Sequence, residues 1–258
     1  MYQRHRTSTL QWMKDRIIES GAEPVVRPLW AKFTGHALVT TDRELSQVIA
    51  CTLKADSVCI DIGAHKGLIL DMCIRKAPRG RFYAFEPIPY LAGLLRRKYR
   101  WNSRVVLNEL ALSDKAGSTT FYINNSALGC SGLAGPDAAS QCPDIETCEV
   151  RVARLDDLLP DSRPTFIKVD VEGAELGVLR GAREMLARSR PTIVFEHAIE
   201  SAGRFNTTPE DVFDLFAGLN FQVSLMARYL DVQKGFSRNE FCDQFYRELN
   251  ANFIAYPS

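Results

Sequence analysis

The chain has 258 residues, 46% hydrophobic and 24% charged, which suits one large domain, or a domain with a short arm, and excludes a disordered chain. With 32 Lys and Arg against 31 Asp and Glu the formal net charge is +1, so the overall balance gives no reason to expect a nucleic-acid partner. The 7 cysteines form no C-x-x-C pair and indicate neither a disulfide framework nor a zinc ribbon, which makes a reducing, cytoplasmic compartment the expectation.

Met1 to Lys14 carries charged and polar residues throughout, and no later stretch is apolar enough for a membrane span, so no integral membrane segment is expected. Leu10, Met13, Ile17 and Ile18 recur at helical spacing over 8–20, and Leu45, Val48 and Ile49 mark one face of a second helix from Asp42 to Leu53. Pro24, Pro28 and Gly35 interrupt the region between them. Residues 1–50 therefore read as an N-terminal helical arm on a domain of residues 51–258. The arm is either a covering helix or an element through which a homodimer forms.

Strands and helices then alternate: Val58 to Ile62 a strand, Gly67 to Arg75 a helix, Arg81 to Phe85 a strand, Tyr90 to Trp101 a helix, Val105 to Leu110 a strand. Gly117-Ser118, Asn124-Asn125-Ser126 and Gly129 to Pro136 break this rhythm across 113–164, where 119–123 and 148–152 pair as strands of an insertion facing the substrate. The rhythm resumes with Thr165 to Val169, a helix from Ala174 to Ala187, a strand from Thr192 to Phe195, a helix opened by Pro209, and strands at Phe221 to Leu225 and Asn252 to Ala255. This order predicts an α/β fold: a Rossmann-like, mostly parallel sheet with a last antiparallel strand and helices on both faces.

The first strand runs into Asp61-Ile62-Gly63-Ala64-His65-Lys66-Gly67, and the second ends in Phe85-Glu86-Pro87. Glycine suits the sharp exit from the strand, and the N-terminus of the following helix favours a ligand carboxylate or phosphate. Ala64 and His65 stand where a dinucleotide fingerprint carries its middle glycine, which disfavours a pyrophosphate. Asp61 is placed to meet a ligand ammonium or its water, and Glu86 to accept both hydroxyls of a ribose. S-adenosyl-L-methionine offers these groups. A nicotinamide oxidoreductase on a similar sheet and a non-catalytic interaction module are the alternatives, separated by S-adenosylhomocysteine binding and by methyl transfer.

Further blocks follow: Glu109-Leu110-Ala111-Leu112-Ser113, then 166–175 (F-I-K-V-D-V-E-G-A-E), Val178-Leu179-Arg180-Gly181-Ala182, and Pro191-Thr192-Ile193-Val194-Phe195-Glu196. Over residues 56–200 this succession resembles the FkbM-type methyltransferases, a branch of the class I S-adenosylmethionine-dependent fold whose members mostly methylate hydroxyls of sugars and natural products. The resemblance implies that Asp61, Gly63, Ala64, His65 and Gly67 surround the methionine end of the cofactor, with Glu86 and Pro87 at the ribose and Leu112 and Ser113 at the adenine. His65 stands in place of the glycine common in methyltransferases at large, and points either to solvent or to the ligand.

Alternation puts Lys168, Asp170 and Glu172 on one side of their strand if it stays extended that far, with Asp170 at the cofactor. Methyl transfer to oxygen needs positioning and removal of one hydroxyl proton, for which Asp170, Glu172 and His197 are the candidates. Glu175, in the first turn of the next helix, complements its dipole. Asp170, Glu172, Glu196 and His197 are also metal-ligand types, but no spaced pair of histidines accompanies them and no metal is expected. The reading is an O-methyltransferase acting on a small-molecule or saccharide hydroxyl acceptor.

Overall fold

Short runs of β-branched and aromatic residues, each followed by an amphipathic stretch, can bury both faces of a sheet only by sending successive helices to either side. A computed structural model, which describes residues 37–135 and 144–258, has this arrangement. The helix expected over 8–20, and with it most of the arm, lies outside the described residues.

In chain order the elements are α1 (Ala37–Thr52), β1 (Val58–Ile62), α2 (Leu68–Lys76), β2 (Arg81–Phe85), α3 (Pro89–Lys98), β3 (Val105–Asn108), β4 (Ala111–Leu112), β5 (Gly117–Asn124), β6 (Ile145–Ala153), α4 (Leu155–Leu158), β7 (Phe166–Val169), α5 (Glu175–Arg180) and α6 (Arg183–Ser189). Then come β8 (Thr192–Glu196), α7 (Ile199–Ala202), α8 (Pro209–Gly218), β9 (Phe221–Ser224), α9 (Met226–Leu230), α10 (Arg238–Tyr246) and β10 (Asn252–Pro257).

Seven strands form the main sheet in the order β3-β2-β1-β7-β8-β10-β9. The first five are parallel, and β10 runs antiparallel to both β8 and β9. The connections wind outward in opposite directions from β1 and β7, which opens a crevice at the carboxyl ends of those two strands. One face of the sheet buries Ile60, Ile167, Ile193 and Phe253 against the side carrying α5, α6 and α8. The other buries Cys59, Phe82 and Phe166 with Leu45, Val48 and Ile49 of α1. Full burial of such side chains stabilises the fold by about 1.5–3 kcal/mol each, so α1 is held as part of the main core.

The insertion forms a separate three-stranded sheet, β4-β6-β5, in which β5 and β6 pair antiparallel over Gly117 to Asn124. Phe121, Ile123, Val150 and Val152 of this sheet pack on Ile88 and Leu91 at the start of α3. That contact fixes the insertion over the crevice.

The largest differences from the expected elements are three. The strand expected to reach Leu110 stops at Asn108, whose carbonyl accepts from the Glu86 amide, and Ala111–Leu112 joins the second sheet. The helix expected over 174–187 divides at Gly181 and Ala182. There a Cβ on Gly181 would lie 2.1 Å from the Ser113 carbonyl oxygen, while the Asp156 carboxylate accepts from the Glu184 and Met185 amides and so starts α6. The segment between β9 and β10 folds into α9 and α10, which the reading left unassigned.

Candidate active site

At the carboxyl ends of β1, β2, β7 and β8 lies a cavity of about 480 Å³, a volume typical of small-molecule sites. Its floor comes from Gly63 to Lys66, Phe85 to Ile88 and Lys168 to Glu172; Leu112 and Glu196 flank it, Asp42 and Leu45 of α1 approach one side, and Phe121 with Leu128 to Ser131 covers another.

The turn after β1 owes its shape to close packing. Gly63 has φ 74°, and a Cβ there would fall 1.9 Å from the carbonyl oxygen of Asp170, so only glycine lets the ends of β1 and β7 approach this closely. Gly67 has φ 75°, and its carbonyl accepts from the Tyr99 hydroxyl at 2.9 Å. The amides of Gly63 and Ala64 both donate to the Phe85 carbonyl, that of His65 to Glu86 Oε2 at 2.7 Å, and that of Gly67 to the Ala64 carbonyl. These four amides are therefore committed within the protein.

Glu86 is buried at the end of β2, where its Oε1 also accepts from the Ile88 amide at 2.9 Å. Burial pushes its carboxyl up to about 7 although both amide bonds favour the charge. Each oxygen keeps a further lone pair, and the residue lines the cavity.

Lys168 ties the two central strand ends together. Its Nζ donates to the Gly63 carbonyl at 2.8 Å and stands 3.3 Å from Asp170 Oδ2 and 3.8 Å from Asp61 Oδ1. Burial works against this ammonium, but the two carboxylates outweigh it and raise its pKa. Asp61 is itself buried and raised to about 6, mainly by desolvation, while Lys168 and the Leu70 amide in α2 favour its charge.

Asp170, Glu172 and Glu196 each bring a carboxylate oxygen within 4.8 Å of the others. The strand does not stay extended as far as the alternation argument needed: β7 ends at Val169, and Glu172 turns the chain at φ 57°. The carboxylates converge nonetheless. Burial raises Glu196 to about 10, helped by repulsion from Asp170 and by a hydrogen bond to it, whereas Asp170 is lowered, because Lys168 and Glu196 together overcome the cost of its burial. Burial and the same repulsion raise Glu172 to about 8. At neutral pH the arrangement is an ionised Asp170 sharing a proton with Glu196. Glu175 serves the loop: its Oε1 accepts from the Val171 and Gly173 amides at 2.9 and 3.1 Å.

Of the residues expected to bind or act, Gly63, Ala64, His65, Glu86, Pro87, Leu112, Asp170 and Glu172 line the cavity. Four do not. Asp61 lies beneath the turn between Lys168 and α2, and Gly67 packs under Tyr99. Ser113 donates its amide to the Ala153 carbonyl and packs against Gly177 and Gly181. His197 is fully buried on the opposite side of β8, its ring stacked on Phe245 with centroids 4.5 Å apart and both ring nitrogens without a hydrogen bond. Burial depresses its pKa to about 4, so it is corrected from base candidate to core residue. Glu196, which the sequence offers as a metal-ligand type, lines the cavity instead, and strand alternation lets just one of the adjacent Glu196 and His197 face it.

Residues 61–223 match the methyltransferase FkbM domain. The chain belongs to the FkbM methyltransferase family. Among its relatives is the 2-O-methyltransferase NoeI of Sinorhizobium fredii, 27% identical over 157 residues that make up 56% of this chain and 65% of NoeI. The hexuronic acid methyltransferase AglP of Haloferax volcanii is 26% identical over 208 residues, 77% of this chain and 78% of AglP. The solved FkbM methyltransferase of Methylobacillus flagellatus shares the fold, with a TM-score of 0.50 and 18% identity over 80% of this chain and 46% of that one. The chain thus spans less than two thirds of NoeI and under half of the FkbM structure. Membership in the FkbM family favours methyl transfer over the nicotinamide reading. No helix among the described residues is long and apolar enough to cross a membrane.

Proposed function

We propose that this FkbM-family chain is an S-adenosylmethionine-dependent O-methyltransferase acting on a hydroxyl of a carbohydrate or secondary metabolite. The observation that carries the reading is the cavity in which Glu86 faces the convergence of Asp170, Glu172 and Glu196, with Lys168 as the cation nearest to Asp170. A ligand bearing a ribose diol at one end and positive charge at the other fits this donor set. Bound S-adenosylmethionine supplies a methyl group activated by a sulfonium.

The residues of the chain do the rest. Glu86 accepts hydrogen bonds from the ribose hydroxyls on its remaining lone pairs, and Leu112 and Ile88 give the base an apolar wall. The carboxylate cluster balances the cationic end. Asp170, ionised and at the cavity wall, accepts the proton of the attacking hydroxyl, while Glu196 holds it in place through their shared hydrogen bond. Phe121 and the 128–131 segment of the insertion shape the acceptor's entry. The saccharide class is supported by NoeI and AglP, whose names specify 2-O-methylation and a hexuronic acid.

Calorimetry with S-adenosylhomocysteine tests the cofactor. Binding is expected, weakened more than about 10-fold in Glu86→Ala, since a hydrogen bond to a charged group contributes roughly 1.5–3 kcal/mol. An unchanged affinity in that variant removes the ribose assignment. Labelled-methyl transfer to a panel of hexuronic acids and other hydroxylated acceptors tests the reaction.

A further inference from the structure

The five parallel strands all begin at the end of the sheet opposite the cavity. At that end the last turn of α2 and the loops entering β2 and β3 carry Lys76, Arg79, Arg81, Arg100 and Arg104, all exposed. Backbone hydrogen bonds set these loops side by side: Arg79 N donates to the Ala55 carbonyl, Arg81 N to that of Ser57, and Phe82 N to that of Arg104. Further along α3, Arg96 pairs with Glu109 and Lys98 with Asp71. Among the described residues none of the five end-facing cations has such an acidic partner.

Between Arg100 and Arg104 in the chain, Trp101 is 87% exposed, with the Arg100 guanidinium 5.2 Å from its ring centre. Among the described residues no packing contact accounts for a tryptophan in that position. Asp56 and Asp161, in the loops entering β1 and β7, are exposed acids at the same end, and the five cations outnumber them.

We infer that this basic end docks on an anionic lipid bilayer, with Trp101 at headgroup depth and the cavity facing the aqueous side. Tryptophan settles at a membrane interface because its ring is amphipathic, and lysine and arginine beside it meet lipid phosphates while their stems cover apolar surface. Single-stranded nucleic acid is a poorer occupant, since it needs successive aromatic platforms along a basic groove, and among the described residues Trp101 is the one exposed ring at this end.

Sedimentation of the full chain with vesicles tests the inference. Vesicles of 30 mol% phosphatidylglycerol in phosphatidylcholine (about the anionic content that attracts polybasic surfaces) are expected to carry the protein down at low salt, and pure phosphatidylcholine vesicles are not. Each cation adds about fivefold to the partition, so the double variant Arg100→Ala/Arg104→Ala should bind ~25-fold more weakly. A blue shift of tryptophan emission on the anionic vesicles should disappear in Trp101→Phe. Thermal melts confirm that these surface variants stay folded. Equal binding to both vesicles, or unchanged binding by the variants, overturns the inference. So does tighter binding of a single-stranded oligonucleotide through the same residues.

Discussion

Lys168 decides whether two carboxylates at the centre of the sheet can stay charged. Its ammonium is tucked beside the buried Asp61, reaches the partly exposed Asp170 and also holds the Gly63 carbonyl, so replacing it by methionine strands Asp61 in the interior without a cation. Breaking a buried pair from one side costs about 3–5 kcal/mol, and Lys168→Met should lose that much stability in urea titrations. It should also loosen the Gly63 turn and weaken S-adenosylhomocysteine binding. The neighbouring carboxylates separate by their protonation. Glu196 is held protonated near neutrality, so Glu196→Gln, which keeps a donor in its place, should retain most of the turnover. Asp170→Asn removes the ionised acceptor and should lower kcat by roughly 10²–10⁴-fold. Equal losses in the two variants would instead point to a symmetric pair.

Among the elements, those with a local signal were legible in advance. β1, β2, β7 and β8 are short, mostly apolar runs, the turn glycines announce the exits, and the alternation of Lys168 and Asp170 gathers charge at one strand end. What could not be read was decided by contacts distant in sequence. The division between α5 and α6 depends on Asp156 capping α6 and on Ser113 pressing against Gly181. α10 did have a readable start, since Ser237 and Glu240 form a capping box, and it is this helix that decides the fate of His197. Phe241 and Phe245 of α10 enclose the ring, which burial holds neutral down to about 4 from its ordinary 6.5. Between those values the unfolded chain takes up a proton that the folded chain refuses. The stabilisation is therefore complete above pH 6.5 and is lost as pH falls towards 4, by about 3 kcal/mol at 1.36 kcal/mol per unit. Replacing His197 by leucine removes two buried nitrogens that lack partners and should flatten this dependence. Urea titrations at pH 7 and pH 4.5 measure it: the variant's advantage should grow with acidity, and parallel curves would exclude a neutral, buried imidazole.

For the molecule as a whole, the cavity end carries an electrostatic load in the opposite direction. Burial raises Asp61 to about 6, Glu86 and Glu175 to about 7 and Glu172 to about 8. From their ordinary range near 4 up to those values, the folded protein keeps protons that the unfolded chain has released. Each group therefore favours the folded state at low pH and loses that contribution as pH rises through its folded value. Glu196, raised to about 10, acts in the same direction, so the ligand-free protein should melt at a progressively lower temperature between pH 6 and pH 8. A cation entering the cluster reverses the preference by stabilising the charged carboxylates, so binding must expel protons near neutrality. S-adenosylmethionine carries a sulfonium that S-adenosylhomocysteine lacks, and its affinity should rise more steeply with pH over the same interval. Calorimetry in two buffers of different ionisation enthalpy counts the expelled protons directly. A count near zero for both ligands would mean that the cluster is already ionised before anything binds, and would remove the electrostatic basis for recognising the methyl donor there.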